Sequence, residues 1–278
     1  LSYESGYLLV RKEDSTTKIH LSEISSILLQ TRQVYISAYL MSELAKNKIS
    51  LVVSDERKDP IGQYLPLYGA HNTSKRIIEQ LAWGEPIKKR VWQHVVREKI
   101  RQQATLLKER DLPSAQTLKR SIDEVRSGDV TNREAAAARI YFQELFGDGF
   151  TRSVDCTINS ALNYGYAILL SAVNREIVSR GYLTQCGICH RNEFNQFNLA
   201  CDLMEPFRPV VDRMVDEWVG AEFDSDARHI LADLLNNTVL YKDGTYKLSS
   251  VISLYVQDCL NALNKKLAVS DIAGFDIK

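Results

Sequence analysis

Long apolar runs are missing from this 278-residue chain. No stretch approaches the roughly 18 uninterrupted apolar residues of a membrane helix, and the richest candidate, Ala161 to Val173, is broken by Asn163, Tyr164 and Gly165. That segment reads as a buried helix, and no membrane partner is expected. The first residues, LSYESGYLLV, also lack the basic start, apolar centre and small-residue cleavage site of a secretory signal. A cytoplasmic location follows as the expectation, and thiols there stay reduced.

Cysteine is scarce as well. Of the five, Cys186 and Cys189 form a single C-x-x-C, while Cys156, Cys201 and Cys259 form no second pair. That spacing speaks against structural zinc, which takes four Cys or His ligands in paired clusters. The run Cys186-Gly-Ile-Cys189-His190 matches the attachment pattern of c-type haem, but a cytoplasmic location makes haem a poor reading. A thioredoxin-like dithiol needs a helix opening at its first cysteine, whereas Gly187 and the polar residues after His190 predict a loop. The cysteines are expected to be small, half-buried side chains.

Net charge is absent too: 35 Lys and Arg balance 35 Asp and Glu, which by itself argues against a nucleic-acid binder. Position changes the reading. Residues 1–74 carry 8 basic and 8 acidic side chains, residues 75–133 carry 14 and 8, and residues 134–278 carry 13 and 19. A basic middle next to an acidic end suits a protein that grips an anion in one place and a cation in another.

What the chain does have is an ordinary globular composition and a change of period along its length. YLLV, KIHLSEISSILLQ and ISLVVSD read as strands, with a helix predicted over QVYISAYLMSELAKNK between them. From about residue 73 the pattern is helical, with stops expected at Gly84-Glu85-Pro86, Asp111-Leu-Pro113, Gly128, Gly147 to Gly149 and Gly181. VLYKDGTYKLS predicts a later hairpin turning at Asp243-Gly244. The expected fold class is α+β: a small N-terminal β-rich domain, residues 1–70, followed by a larger, mainly α-helical domain, residues 71–278. No internal repeat stands out.

Three segments carry candidate chemistry. In TNREAAAARIYFQELFG, Thr131 and Glu134 stand at capping-box spacing, so Glu134 is either a helix cap or, beside an alanine run that lets a neighbouring helix approach, a carboxylate awaiting a cation. In LACDLMEPFRP, Asp202 and Glu205 share one helix face behind His190, which lies 12 residues ahead of Asp202. An imidazole with two or three carboxylates suits Mn2+ or Mg2+. In IKKRVWQHVVREKIRQQ, Lys89, Arg90, Arg97 and Arg101 fall near one helix face, as DNA phosphate binding needs and as an exposed amphipathic helix also shows.

Together with INSALNYGYAILLSAVNREIVSRGY and GICHRNEFNQFNLACDLMEPFRPVVDRMV, these segments resemble the CRISPR-associated integrase family Cas-one, the spacer-acquisition enzymes of CRISPR immunity, and in particular the type II branch. The resemblance spans essentially the whole chain. It implies a metal-dependent DNA endonuclease and integrase that inserts short duplexes into a CRISPR array by 3′-hydroxyl transesterification. It implies metal ligands at Glu134, His190 and Glu205, with Asp202 as a possible additional acid and Mg2+ or Mn2+ as cofactor; the two cysteines of CGICH fall outside the motif. The implied partners are double-stranded DNA (the captured spacer duplex and the CRISPR leader-repeat), the smaller protein Cas-two, a second copy of the chain in a homodimer, and other type II adaptation proteins. Dimerisation and partner contacts are expected on residues 1–70, catalysis in residues 71–278. The competing expectations are a non-catalytic DNA-binding scaffold of the same fold and a cytosolic zinc or redox protein using Cys186 and Cys189.

Overall fold

A computed structural model describes residues 1–67, 69–218 and 222–277. Strands β1 (Ser2–Glu4), β2 (Tyr7–Arg11) and β3 (Thr16–His20) form an antiparallel sheet in that order. The β1–β2 turn is Ser5-Gly6, both at positive φ, the backbone a tight hairpin demands. A second sheet follows from β4 (Ser26–Leu29), β5 (Ser50–Ser54) and β6 (Pro60–Tyr64). Its β4 and β5 run parallel, which requires a crossover, and α1 (Ala38–Lys46) supplies it. The Ser37 hydroxyl accepts the Leu40 N–H and starts that helix, and Leu40 and Leu44, one turn apart, are buried beneath it. Leu8, Leu21, Ile49 and Leu51 complete this small core.

The remaining chain is mainly helical: α2 (Thr73–Leu81), α3 (Glu85–Glu109), α4 (Ala115–Glu124), α5 (Arg133–Phe146), α6 (Thr157–Ser179), α7 (Asn198–Met204), α8 (Arg208–Trp218) and α9 (Ser225–Ala232). The hairpin β7 (Thr238–Tyr241) and β8 (Gly244–Lys247) then leads into α10 (Leu248–Leu263), and β9 (Phe275–Ile277) returns antiparallel to β7. One apolar core, running from Trp83 to Phe275, joins these elements. Helices α3 and α6 are its axes. Along α6, Gly165 lets α8 come close, because a Cβ there would sit 2.4 Å from Val211 Cγ1. The small sheets dock on α6 through Gln63, which donates to the Ser171 carbonyl at 2.8 Å and accepts from Asn174 at 2.7 Å.

The architecture is the expected α+β arrangement, a β-rich start followed by helices. Several local expectations need correction. Helix α1 begins at Ala38, about a turn after the start of the periodic segment, because Ser37 is the residue whose hydroxyl caps it. Strand β6 holds Pro60 and Gly62, turn residues by type; Pro60 lies at a register shift, where its missing N–H costs no ladder bond, and a Cβ at Gly62 would meet Val53 at 2.9 Å. The late hairpin turns at Lys242-Asp243, one residue earlier than expected, since Tyr241 pairs with Gly244. Among the described residues no helix is long and apolar enough to cross a membrane.

Candidate active site and metal centre

Glu134 enters from the first turn of α5. Its helix is not started by a Thr131–Glu134 capping box: the Asp129 carboxylate accepts the N–H groups of Arg133 at 2.9 Å and Glu134 at 3.0 Å. The turn that aims Asp129 runs through Gly128, Asp129 and Asn132, all at positive φ. With its cap role taken by Asp129, the Glu134 side chain is free to face inward, where it accepts from the Lys99 ammonium. The alanine run does not serve as expected: only Ala137 of the four is buried, while Ala135 and Ala136 face out.

Glu205 comes from the end of α7, where Glu205–Phe207 form a single 3-10 turn ahead of α8. It accepts from the same Lys99 and is ion-paired with Arg208, whose Nε lies 2.9 Å from Glu205 Oε1. Burial opposes its ionisation, yet the Arg208 and Lys99 charges outweigh that and hold its pKa below the ordinary carboxylate value. Lys99 itself is buried on α3; burial works against its charge, but Glu205 and Glu134 raise its pKa. Two acids from separate elements thus share one buried cation.

Asp202 has a different task from Glu205, although three residues separate them. It is fully buried, and its oxygens accept the backbone N–H groups of Ile188 (2.6 Å), Cys189 (3.1 Å) and His190 (3.0 Å) together with His190 Nδ1 (2.6 Å). Gly187 makes this cradle possible: a Cβ would lie 2.4 Å from the His190 carbonyl and 2.7 Å from Asp202 Oδ2. The His190 pKa is raised, first by the Asp202 hydrogen bond, with burial opposing and with Glu205 and Glu134 adding to the rise. With Nδ1 engaged, Nε2 is left as the ring's outward nitrogen. The pair Asp202 and Glu205, which the spacing puts on one helix face, lies inside the protein, each acid with its own partners. Among the described residues, no three His, Cys, Asp or Glu side chains form a cluster that would hold a metal ion in this conformation.

The other predicted residues divide. Lys89, Arg90 and Arg97 are exposed on α3, Arg97 donating to the Val125 carbonyl at 3.1 Å. Arg101 turns the other way and is engaged by Glu98 and Asp276, the latter at 2.5 Å, and by the Phe275 carbonyl. The five cysteines are free thiols, with Cys189 exposed and Cys186 half-buried. Desolvation, then the charges of Asp202, Glu134 and Asp129, push the Cys189 thiol up to about 11, the opposite of what a redox or ligating thiolate needs. Sequence reasoning missed Lys99, Arg208 and Asp129. The available signal was a lysine at one-turn spacing from Val95 on the apolar stripe of α3, a position that a charge occupies only when paired.

This fold, a small β-rich start followed by helices, is shared with solved structures of a casposase and of Cas1 proteins. A casposase bound to integration product superposes with a TM-score of 0.75 at 18% identity, over 92% of this chain and 84% of that one. The chain of a Cas6-RT-Cas1–Cas2 complex superposes at 0.71 and 21% identity, over 97% of this chain and 34% of that one. The chain belongs to the family of CRISPR associated protein Cas1, whose model matches residues 1–222. It is 43% identical over 217 residues to the CRISPR-associated endonuclease Cas1 of Neisseria meningitidis serogroup C (strain 8013), covering 77% of this chain and 71% of that protein. The Neisseria protein comes from a type II system, in line with the type II resemblance. A CRISPR-associated endonuclease Cas1 of Pyrobaculum aerophilum is 28% identical over 231 residues, 76% of this chain and 77% of that one.

Proposed function

We propose that this chain is a divalent-metal-dependent DNA endonuclease and integrase that inserts short captured duplexes into a CRISPR array, with Mg2+ or Mn2+ as cofactor. The observation that carries the reading is the convergence of Glu134 and Glu205 on one buried positive charge, with His190 held nearby by Asp202. The donor set suits such an ion: two carboxylates and one imidazole nitrogen, with no thiolate among them. Bound by Glu134, His190 and Glu205, the ion would polarise the phosphodiester and offset charge that grows in the transition state.

The protein's own residues do the rest. Asp202 accepts from Nδ1 and from three main-chain amides, so the imidazole is fixed in one tautomer and one direction. Lys99 holds the two glutamates together, and Arg208 fixes the Glu205 carboxylate from its other side. The attacking group is the 3′-hydroxyl of the captured DNA, so no side-chain nucleophile is needed. The exposed Lys89, Arg90 and Arg97 contribute phosphate affinity along α3. The N-terminal β-rich region, with Tyr35, Ile61 and Leu67 strongly exposed, carries the contacts to a second copy and to Cas2. A location in the cytoplasm belongs with this reading.

The test combines the protein and its Cas2 with a short duplex and a plasmid carrying the repeat, with and without chelator. Strand transfer is expected in Mg2+ or Mn2+, lost with chelator, and lost in Glu134→Ala, His190→Ala and Glu205→Ala while the fold persists. Full transfer by all three variants would remove the metal centre from the reading. A non-catalytic DNA-binding scaffold is the second reading, favoured by the lack of a three-ligand cluster among the described residues. Duplex binding without strand transfer in either metal would establish it.

A further inference from the structure

We infer that Arg152 binds a phosphodiester of the DNA strand, next to the one that reacts. The inference rests on the DNA-processing reading above and adds a contact on the far side of Arg208. Arg152 lies between α5 and α6, half-buried, and its guanidinium stands over the Tyr166 ring at 5.2 Å from the centroid and over Phe142 at 6.0 Å. The Arg208 guanidinium stands over the same Tyr166 ring at 4.6 Å, and Arg208 is the residue ion-paired with Glu205. One aromatic ring therefore ties Arg152 to the cation that fixes the candidate ligand. Phe142 is two turns beyond Glu134 on α5, about 12 Å along the helix.

Arg152 is held by neutral amides and two aromatic faces. Its two hydrogen bonds go to neutral amides, Asn159 and Asn163 (2.6 Å for the latter), and among the described residues no carboxylate lies within ion-pair distance. Arg101, Arg110, Arg175, Arg180, Arg208 and Arg213 on the helices all have acids. Asn159 is buried and also donates to the Thr151 and Val154 carbonyls at 2.9 and 2.7 Å, so the loop that carries Arg152 is pinned to the first turn of α6. A guanidinium has five N–H donors, and two suffice for the amides. The remaining donors form a planar edge of the geometry that phosphate oxygens accept. Desolvating and orienting a cation without an acid costs free energy, and an anion arriving from outside offsets it.

The experiment measures duplex binding in chelator across a range of salt, which leaves the metal centre out of the readout. Each phosphate contact contributes a slope of about 0.9 in log affinity against log salt for duplex DNA, or about 0.7 for a single strand. Arg152→Gln is expected to flatten the slope by about that amount and Arg152→Lys to restore it, with both melting near wild type. An unchanged slope in a folded Arg152→Gln would overturn the assignment and leave Arg152 as a packing residue. If Arg152→Gln fails to fold, wild type decides the matter: DNA should protect Arg152 from phenylglyoxal, read by peptide mass spectrometry, and equal modification with and without DNA overturns it. Strand transfer measured separately keeps the two readings apart, since its loss leaves a slope change intact.

Discussion

Replacing Lys99 with methionine tests the site at its centre. The substitution keeps the length and apolar stem of the side chain and removes the one charge shared by Glu134 and Glu205. Taking one partner from a buried ion pair costs about 3–5 kcal/mol. Two features draw the expectation to the lower end. Arg208 stays beside Glu205, and the Glu134 side chain keeps 27% of its exposure. A loss of about 3 kcal/mol in chelator is expected, which for a chain of this size lowers the melting temperature by about 5 °C. The assay is thermal unfolding in chelator and then with rising Mn2+ or Mg2+. In the variant the ion is expected to recover much of the lost stability, because it meets two acids with no ammonium between them, so its stabilising shift should exceed that of wild type. Adding Glu134→Gln to Lys99→Met should restore part of the chelator-state loss, since the two residues act on each other. The reasoning fails if Lys99→Met melts within 1 °C of wild type in chelator.

Other outcomes follow from single features. Asp202→Asn is expected to lower metal affinity or strand transfer by about 10–100-fold, measured by titration calorimetry and by product yield, because the bond that fixes His190 weakens. Asp212, fully buried beneath the Tyr141 and Tyr166 hydroxyls, has its pKa pushed up to about 6 by burial. Its folded value stands above the ordinary 3.8, so the folded state holds the proton more tightly and this group's contribution to stability falls as pH rises from about 4 to 6. Urea unfolding of Asp212→Asn against wild type should therefore move in favour of the variant by roughly 2 kcal/mol between pH 4.5 and 7.5; a constant difference would refute the buried-acid account. Gly165→Ala forces a methyl group against Val211 and should cost about 1–3 kcal/mol in the same measurement. Cys186→Ser combined with Cys189→Ser should retain strand transfer, and its loss would revive the thiol reading.

Much of the fold was legible because period and punctuation agree: the stops at Asp111-Leu-Pro113, Gly128, Gly147 to Gly149 and Gly181 fall between helices, and Gly84-Glu85-Pro86 marks the start of α3. Strand β6 was hidden because Pro60 and Gly62 are turn residues by type, and only the neighbouring β5 shows that they sit at an irregular edge. The candidate site was legible as residue types and spacing, which single out Glu134, His190, Asp202 and Glu205. Their division of labour was not, because it depends on which segments meet in space, such as Lys99 reaching Glu205 across 106 residues. Spacing alone made Asp202 and Glu205 look alike. Depth and donors make one a cradle for a loop and the other a partner of two cations.

The cradle around Asp202 has an evolutionary corollary. Three of its four contacts are to main-chain amides, which every residue but proline supplies, so the identities at positions 188 and 189 are free to drift under selection for packing alone. Gly187 and Asp202 are not: one supplies room and the other supplies the acceptor. The direction of the imidazole is thus inherited through a hole and a carboxylate, while the side chains between them can be rewritten.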